Sequence, residues 1–138
     1  MKKIITFTFF ALVFACLSSC LREEVPYNNG ITYFNKGYYN HAITNFSEAI
    51  RIDPKFADAY VGRGNAYLYK KEYDAAMEDY NKALQLAPDN AGAYAGRGNA
   101  HRINGDIAQA TADWEAALKI DPDNKEARKN MDQALGKN

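Results

Sequence analysis

The same phrase occurs twice in this chain, at a spacing of 34 residues. AYVGRGNAYLY begins at Ala59 and AYAGRGNAHRI begins at Ala93, and seven of the eleven positions are identical. A fixed period of this length is typical of a chain built from tandem supersecondary units, because each unit repeats the same packing contacts. No other feature of the sequence constrains the fold as strongly.

The period extends over three units. Two clear units cover 57–90 and 91–124, and a weaker one covers 23–56, where the first helix is expected to begin at Pro26. Small, aromatic and proline positions align down the units: Gly30, Gly64 and Gly98; Tyr33, Tyr67 and His101; Ala42, Ala76 and Ala110; Phe46, Tyr80 and Trp114; Ala49, Ala83 and Ala117; and Pro54, Pro88 and Pro122.

Apolar and small residues recur at helical spacing on both sides of a break within each unit. In the second unit one stripe runs from Tyr60 to Leu68 and another from Tyr73 to Leu84. The predicted breaks lie at Gly37, at Lys71-Glu72 and at Gly105, where a left-handed residue can end a helix. Asp89-Asn90 offers side-chain oxygens to cap the next helix. Each unit is therefore predicted to be a pair of helices.

This pattern resembles the tetratricopeptide repeat, whose unit is a helix-turn-helix of 34 residues. The resemblance implies an all-α protein with three helix-turn-helix units in a short right-handed superhelix, assigned to 26–56, 57–90 and 91–124. Residues 125–138 carry one apolar stripe and are predicted to form a capping helix over the last unit. The residues of that stripe are Ala127, Met131, Ala134 and Leu135.

The resemblance also implies a concave groove, lined by the first helix of each unit, that binds an extended peptide or a partner's helix. The residues expected to line it are Tyr27, Ile31, Phe34, Val61, Asn65, Leu68, Tyr69, Asn99, Arg102 and Ile103. Asn65 and Asn99 lie one repeat apart, and an amide can donate to and accept from a peptide bond. The two asparagines either hold an extended peptide backbone or are ordinary solvated helix residues.

Two further expectations concern basic residues, one in the groove and one on the outer face. Co-chaperone members of the family hold a C-terminal carboxylate with Lys and Arg, but the corresponding positions here carry no basic residue. Those positions are Tyr27, Ile31, Gly62, Gly92 and Gly96. Arg63 and Arg97 are expected on the outer face, with buried stems and solvated guanidinium groups.

The N-terminal segment predicts export and lipidation. Two lysines precede a short apolar run, too short to span a bilayer and typical of a signal peptide. Leu17-Ser18-Ser19-Cys20 resembles the bacterial lipobox, which implies cleavage after residue 19 and acylation of Cys20 with chains such as palmitate. We therefore assign 1–19 to a signal peptide and 20–25 to the lipid anchor and a short linker. Secretion with two incidental cysteines, Cys16 and Cys20, is the alternative.

The sequence favours a binding role over catalysis. Lys plus Arg and Asp plus Glu both number 17, so net charge gives no reason to expect nucleic acid. No motif of an enzyme, a cofactor site or a metal site is present. The predicted function is a scaffold on the bacterial envelope, lipid-anchored at the outer membrane and facing the periplasm, that binds a protein or peptide partner near the membrane. A self-assembling module (a homo-oligomer) and a binder of a small apolar ligand are the alternatives.

Overall fold

The computed structural model describes residues 25–137, and every regular element in that range is an α-helix. Helix α1 covers residues 25–35 of the described part, so it includes the residue before the predicted start at Pro26. The helices that follow are α2 (Tyr39–Ile52), α3 (Ala57–Tyr69), α4 (Tyr73–Leu86), α5 (Ala91–Ile103), α6 (Ile107–Ile120) and α7 (Lys125–Ala134). They form three consecutive helical pairs and one terminal helix, which confirms the predicted fold class.

Each pair turns where a residue adopts a left-handed conformation. Gly37, Lys71 and Gly105 have φ angles of 78°, 66° and 88°, as the predicted breaks require. The predicted cap at Asn90 is also present, because its Oδ1 accepts a hydrogen bond of 2.9 Å from Ala93 N. Asn124 repeats that cap on Ala127 N at 3.0 Å. The left-handed residues and the asparagine caps therefore help to fix where the helices end and begin.

One large aromatic ring lies at the centre of each unit, and at least one glycine packs against it. Phe46, Tyr80 and Trp114 are the largest fully buried side chains of the described part. A Cβ atom on Gly64 would lie 2.9 Å from the Tyr80 ring, and one on Gly96 of the next unit would lie 2.5 Å from it. These distances are shorter than a carbon–carbon contact allows. Glycine is required at these positions because the neighbouring backbones approach the ring from both sides.

The last unit is covered by α7, as predicted. Ala127 is fully buried, and Met131 and Ala134 pack against the cluster around Trp114. Leu135 lies just beyond the helix and is 50% exposed, so it contributes less to the cap than the sequence predicted. The terminal helix buries the face that a fourth unit would otherwise cover.

The structure corrects the prediction for the two arginines. Arg63 donates to both carboxylate oxygens of Asp79, and Arg97 does the same to Asp113, at 2.7–2.8 Å. Each guanidinium also lies over a tyrosine ring, 5.6 Å from the centroid of Tyr60 for Arg63. The charged groups therefore join the two helices of a unit and are not free in solvent.

The predicted signal peptide and the lipidation site at Cys20 lie outside the described residues. Within the described part, no helix is both long enough and apolar enough to span a bilayer.

Candidate partner-binding groove

All ten residues predicted for the groove line one or the other of two cavities. The N-terminal cavity, of about 400 Å³, is lined by Tyr27, Ile31, Phe34, Phe46, Asp58, Val61, Gly62, Asn65, Asn90 and Gly92. The C-terminal cavity, of about 360 Å³, is lined by Leu68, Tyr69, Lys71, Tyr73, Asn99, Arg102, Ile103, Glu126 and Asn130. The predicted residues are divided equally between the two cavities, five in each.

Aromatic contacts link the two cavities. Phe34 of the N-terminal cavity meets Tyr69 of the C-terminal cavity edge to face, with ring centroids 5.3 Å apart. Tyr69 also stacks on Tyr39 at 5.3 Å and remains 60% exposed. The cavities therefore adjoin across a wall of rings that an extended ligand would contact along its length.

The N-terminal cavity has a negative charge. Asp58 is the one charged side chain among its described lining residues, and its Oδ1 accepts a hydrogen bond of 2.7 Å from Asn90 Nδ2. Tyr27 packs on Phe46 and Phe56, with centroids 5.7 Å and 4.7 Å away. Burial, and then the negative charge of Asp58, raise the pKa of the Tyr27 phenol. This end of the groove therefore combines apolar walls with one carboxylate.

The side-chain NH₂ group of Asn65 is open to the N-terminal cavity, whereas its carbonyl oxygen is already hydrogen-bonded. Its Oδ1 accepts a hydrogen bond of 2.7 Å from the Tyr80 hydroxyl, which fixes the orientation of the amide. No residue of the described part accepts a hydrogen bond from its Nδ2. The side chain is partly exposed, so this donor is available to a ligand.

Asn99 is used differently from Asn65, and it is not the solvated helix residue that one of the two alternatives predicted. Its Oδ1 accepts from Trp114 Nε1 at 3.1 Å and from Asn130 Nδ2 at 2.7 Å, and its Nδ2 donates to Glu126 Oε1 at 2.8 Å. The side chain is only 8% exposed. Asn99 lines the C-terminal cavity, but its hydrogen-bonding groups hold helix α7 in place.

Several lining residues were missed at the sequence level. Asp58 lies three residues before Val61 and seven before Asn65, so helical spacing alone places it on the same face. Lys71, Glu126 and Asn130 depend on how the turn and the capping helix pack, which the pattern of a single unit does not specify.

Within the described residues, no group of three or more potential metal ligands comes together. His101 takes the place that tyrosine holds in the other units, with its side chain 16% exposed. Its Nε2 lies 3.8 Å from Asp113 Oδ2, and its buried Nδ1 has no hydrogen-bond partner among the described residues. His101 therefore packs at the position that Tyr33 and Tyr67 occupy in the other units.

Comparison with known proteins identifies the family. Models of the tetratricopeptide repeat match residues 57–90 and 91–124, and a TPR repeat model matches 30–71. The first TPR domain of human RPAP3 is 30% identical, with 83% of this chain and 93% of that domain covered and a TM-score of 0.77. The chain belongs to the tetratricopeptide repeat family. No curated protein sequence matches it closely enough to be counted as a relative.

Other solved tetratricopeptide repeat domains have the same fold, and two of them carry a peptide. The Arabidopsis OM64 TPR domain is 27% identical, with 86% of this chain and 98% of that chain covered and a TM-score of 0.80. The first TPR of Spaghetti (RPAP3), 28% identical with 84% and 92% covered and a TM-score of 0.77, is bound to the HSP90 peptide SRMEEVD. The second TPR domain of human RPAP3, 28% identical with 86% and 96% covered and a TM-score of 0.73, is in complex with the HSP70 peptide SGPTIEEVD. The fold of this chain is thus one that serves as a protein-interaction module.

Proposed function

We propose that this tetratricopeptide repeat protein is a non-enzymatic scaffold of the bacterial envelope, which holds a protein or peptide partner in its groove. The observation that carries the proposal is that all ten groove residues line two adjoining cavities, with apolar walls and exposed polar groups. Peptides bound to structural relatives support the same mode of action.

The proposal includes a lipid anchor at Cys20, by which the protein is held at the outer membrane and faces the periplasm. The sequence LSSC supports acylation at that cysteine, and the Leu that follows it supports sorting to the outer membrane. Five residues between the lipid and the first repeat reach at most about 17 Å. The groove would therefore work close to the bilayer, and its partner would be a membrane-bound or membrane-crossing protein.

The groove is tested by site-specific photocrosslinking in the cells that make the protein. A photoreactive amino acid replaces Leu68 in the groove, and the matched control replaces Glu115, an exposed residue of α6 that lines neither cavity. We expect one dominant crosslinked protein from position 68 and none from position 115. Crosslinks only to further copies of the chain, or equal products from both positions, would contradict the proposal.

The anchor is tested by metabolic labelling with palmitate. Cys20→Ala should abolish incorporation of label and release the protein from the membrane fraction. Cys16→Ala is the matched control and should leave both unchanged. Label that persists in Cys20→Ala would show that the anchor assignment is wrong.

A further inference from the structure

The capping helix supplies hydrogen-bond partners to Asn99 that Asn65, one repeat earlier, does not have. Glu126 and Asn130 of α7 bind the amide of Asn99. One repeat earlier, the residues that correspond to them are Gly92 and Gly96, which have no side chains. Gly92 lines the N-terminal cavity next to Asn65. The chain therefore satisfies this amide in the last unit and leaves the equivalent donor, Asn65 Nδ2, open in the second unit.

The two cavities differ in charge. The described lining of the N-terminal cavity contains Asp58 and no basic side chain. The C-terminal cavity contains Lys71 and Arg102 together with Glu126. Asp58 has one short hydrogen bond, from a neutral amide, so its charge is not neutralised by a described cation. A ligand that enters the N-terminal cavity therefore meets a carboxylate acceptor at one place and an amide donor at another.

The spacing of these two groups fits one residue of an extended peptide. Asp58 and Asn65 are seven residues apart on α3, which corresponds to about 10.5 Å along the helix axis. The distance from the charged end of a Lys or Arg side chain to the carbonyl oxygen of the same residue is comparable with this separation, because the Asp and Asn side chains cover part of it. Between the two groups lie Val61 and Gly62, with Tyr27 and Ile31 opposite. This apolar surface suits the methylene stem of a long basic side chain.

We propose that the N-terminal cavity selects a Lys or Arg residue within the partner peptide. The cation pairs with Asp58, the carbonyl group of the same residue accepts a hydrogen bond from Asn65 Nδ2, and the stem packs on Tyr27 and Val61. This inference rests on the proposed function, because it names the residue class that the groove reads.

The charge of the cavity also excludes one kind of ligand. The peptides bound to two structural relatives end in EEVD. An acidic segment placed in the N-terminal cavity would bring its carboxylates towards Asp58, with no described basic residue in that lining to pair with them. Like charges at close range are repulsive, so the cavity should discriminate against such a sequence.

The test uses the full-length chain in mild detergent and three pools of dye-labelled, acetylated and amidated hexapeptides. One central position is Lys, norleucine or Glu, and the other positions are randomised among small and apolar residues. Binding is measured by fluorescence anisotropy at low and high salt. Because Asp58 is exposed, we expect the Lys pool to bind about three- to fivefold more tightly than the norleucine pool, and the Glu pool least tightly. The advantage of Lys should shrink at high salt.

Two variants assign the effect to Asp58. Asp58→Asn should remove the preference for Lys over norleucine, while Glu78→Gln, which removes an exposed acid of α4 outside both cavities, should leave it unchanged. Thermal unfolding of each variant checks that it is folded. Equal binding of the Lys and norleucine pools to the natural chain, or a preference that persists in Asp58→Asn, would overturn the inference.

The outcomes also separate this inference from the proposed function. If the pools bind equally, only the selection for a basic residue fails. If no pool binds while position 68 still crosslinks to a partner protein, the inference is overturned and the scaffold function stands. If no pool binds and position 68 yields no partner, both fail.

Discussion

Arg63 and Asp79 join the two helices of the second unit through a bidentate ion pair, with hydrogen bonds of 2.8 Å from Nε and 2.7 Å from Nη2. Arg63 Nη1 also donates to Ser47 Oγ of the preceding unit at 3.1 Å. The third unit repeats the arrangement with Arg97 and Asp113. The repeated GRG phrase is therefore explained by contacts within the stack: its glycines contact aromatic rings, and its arginine ties adjacent helices together.

Removal of Asp79 should strongly destabilise the protein. The carboxylate side chain is 7% exposed, and Asp79→Ala would leave the Arg63 guanidinium partly buried without its anion. Removing one partner of such a pair costs about 3 kcal/mol in free energy of unfolding. Urea denaturation followed by circular dichroism measures the change, and Glu78→Ala, an exposed neighbour, is the control. A loss below about 1 kcal/mol would mean that the pair is solvated and contributes little.

A methyl group at Gly96 should be poorly tolerated. Its Cβ would lie 2.5 Å from the ring of Tyr80, which is fully buried and cannot move aside. Overpacking of this kind lowers the free energy of unfolding by about 1–3 kcal/mol. Gly92→Ala on the same helix is the matched control, because its Cβ would be no closer than 3.3 Å to a neighbour. The contact at Gly92, with Asn90 Oδ1, is tight but needs a shift of only a few tenths of an ångström, so this control should lose much less stability than Gly96→Ala. If both variants unfold at the same temperature as the natural chain, this packing is contradicted.

The two groove asparagines should respond differently to alanine. Asn99→Ala removes three hydrogen bonds that join α5 to Trp114 and α7, whereas Asn65→Ala removes one bond to Tyr80. At about 1 kcal/mol per bond, the first variant should lose about 3 kcal/mol and the second about 1 kcal/mol. Hydrogen exchange should become faster at the amides of α7 in Asn99→Ala only. Equal losses in the two variants would show that the cap does not depend on Asn99.

Stability should fall at alkaline pH because of Tyr80. Burial raises the pKa of its phenol above the ordinary value of about 10. In the unfolded chain the phenol ionises near pH 10, whereas the folded chain keeps its proton, so the unfolded state binds fewer protons and stability decreases as pH rises through 10. Urea denaturation at pH 8 and pH 10.5 measures the loss, which should be smaller in Tyr80→Phe. An equal loss in both proteins would assign the effect to other groups.

Much of the fold follows from the spacing of a few residues in the sequence. Glycines opposite aromatic residues, and left-handed positions at Gly37 and Gly105, predict the helical pairs because they reflect local and repeated geometry. The pairing of Arg63 with Asp79 was not predicted, because the rotation of α3 against α4 decides whether a guanidinium meets solvent or a carboxylate.

The candidate site shows the same division. Ten of its lining residues follow from the face of the first helix in each unit, which the period defines. The different use of Asn65 and Asn99 does not follow, although both have the same neighbours in sequence. It depends on which residues the next helix places beside each asparagine. Glu126 and Asn130 contact Asn99 with their side chains, whereas the corresponding residues for Asn65 are Gly92 and Gly96, which have none. The capping helix departs from the repeat at these two positions, and this departure determines that the Asn65 amide is open and the Asn99 amide is not.

The side-chain amide signals of Asn65 and Asn99 in the NMR spectrum test the central claim most directly. We predict that the Asn99 side-chain amide exchanges slowly with solvent, because it donates to Glu126, and that the Asn65 amide exchanges fast. Addition of the Lys peptide pool should shift the Asn65 side-chain signal and leave that of Asn99 nearly unchanged. A peptide that binds without shifting Asn65, or that shifts residues of the opposite face instead, would show that the groove is not the binding surface.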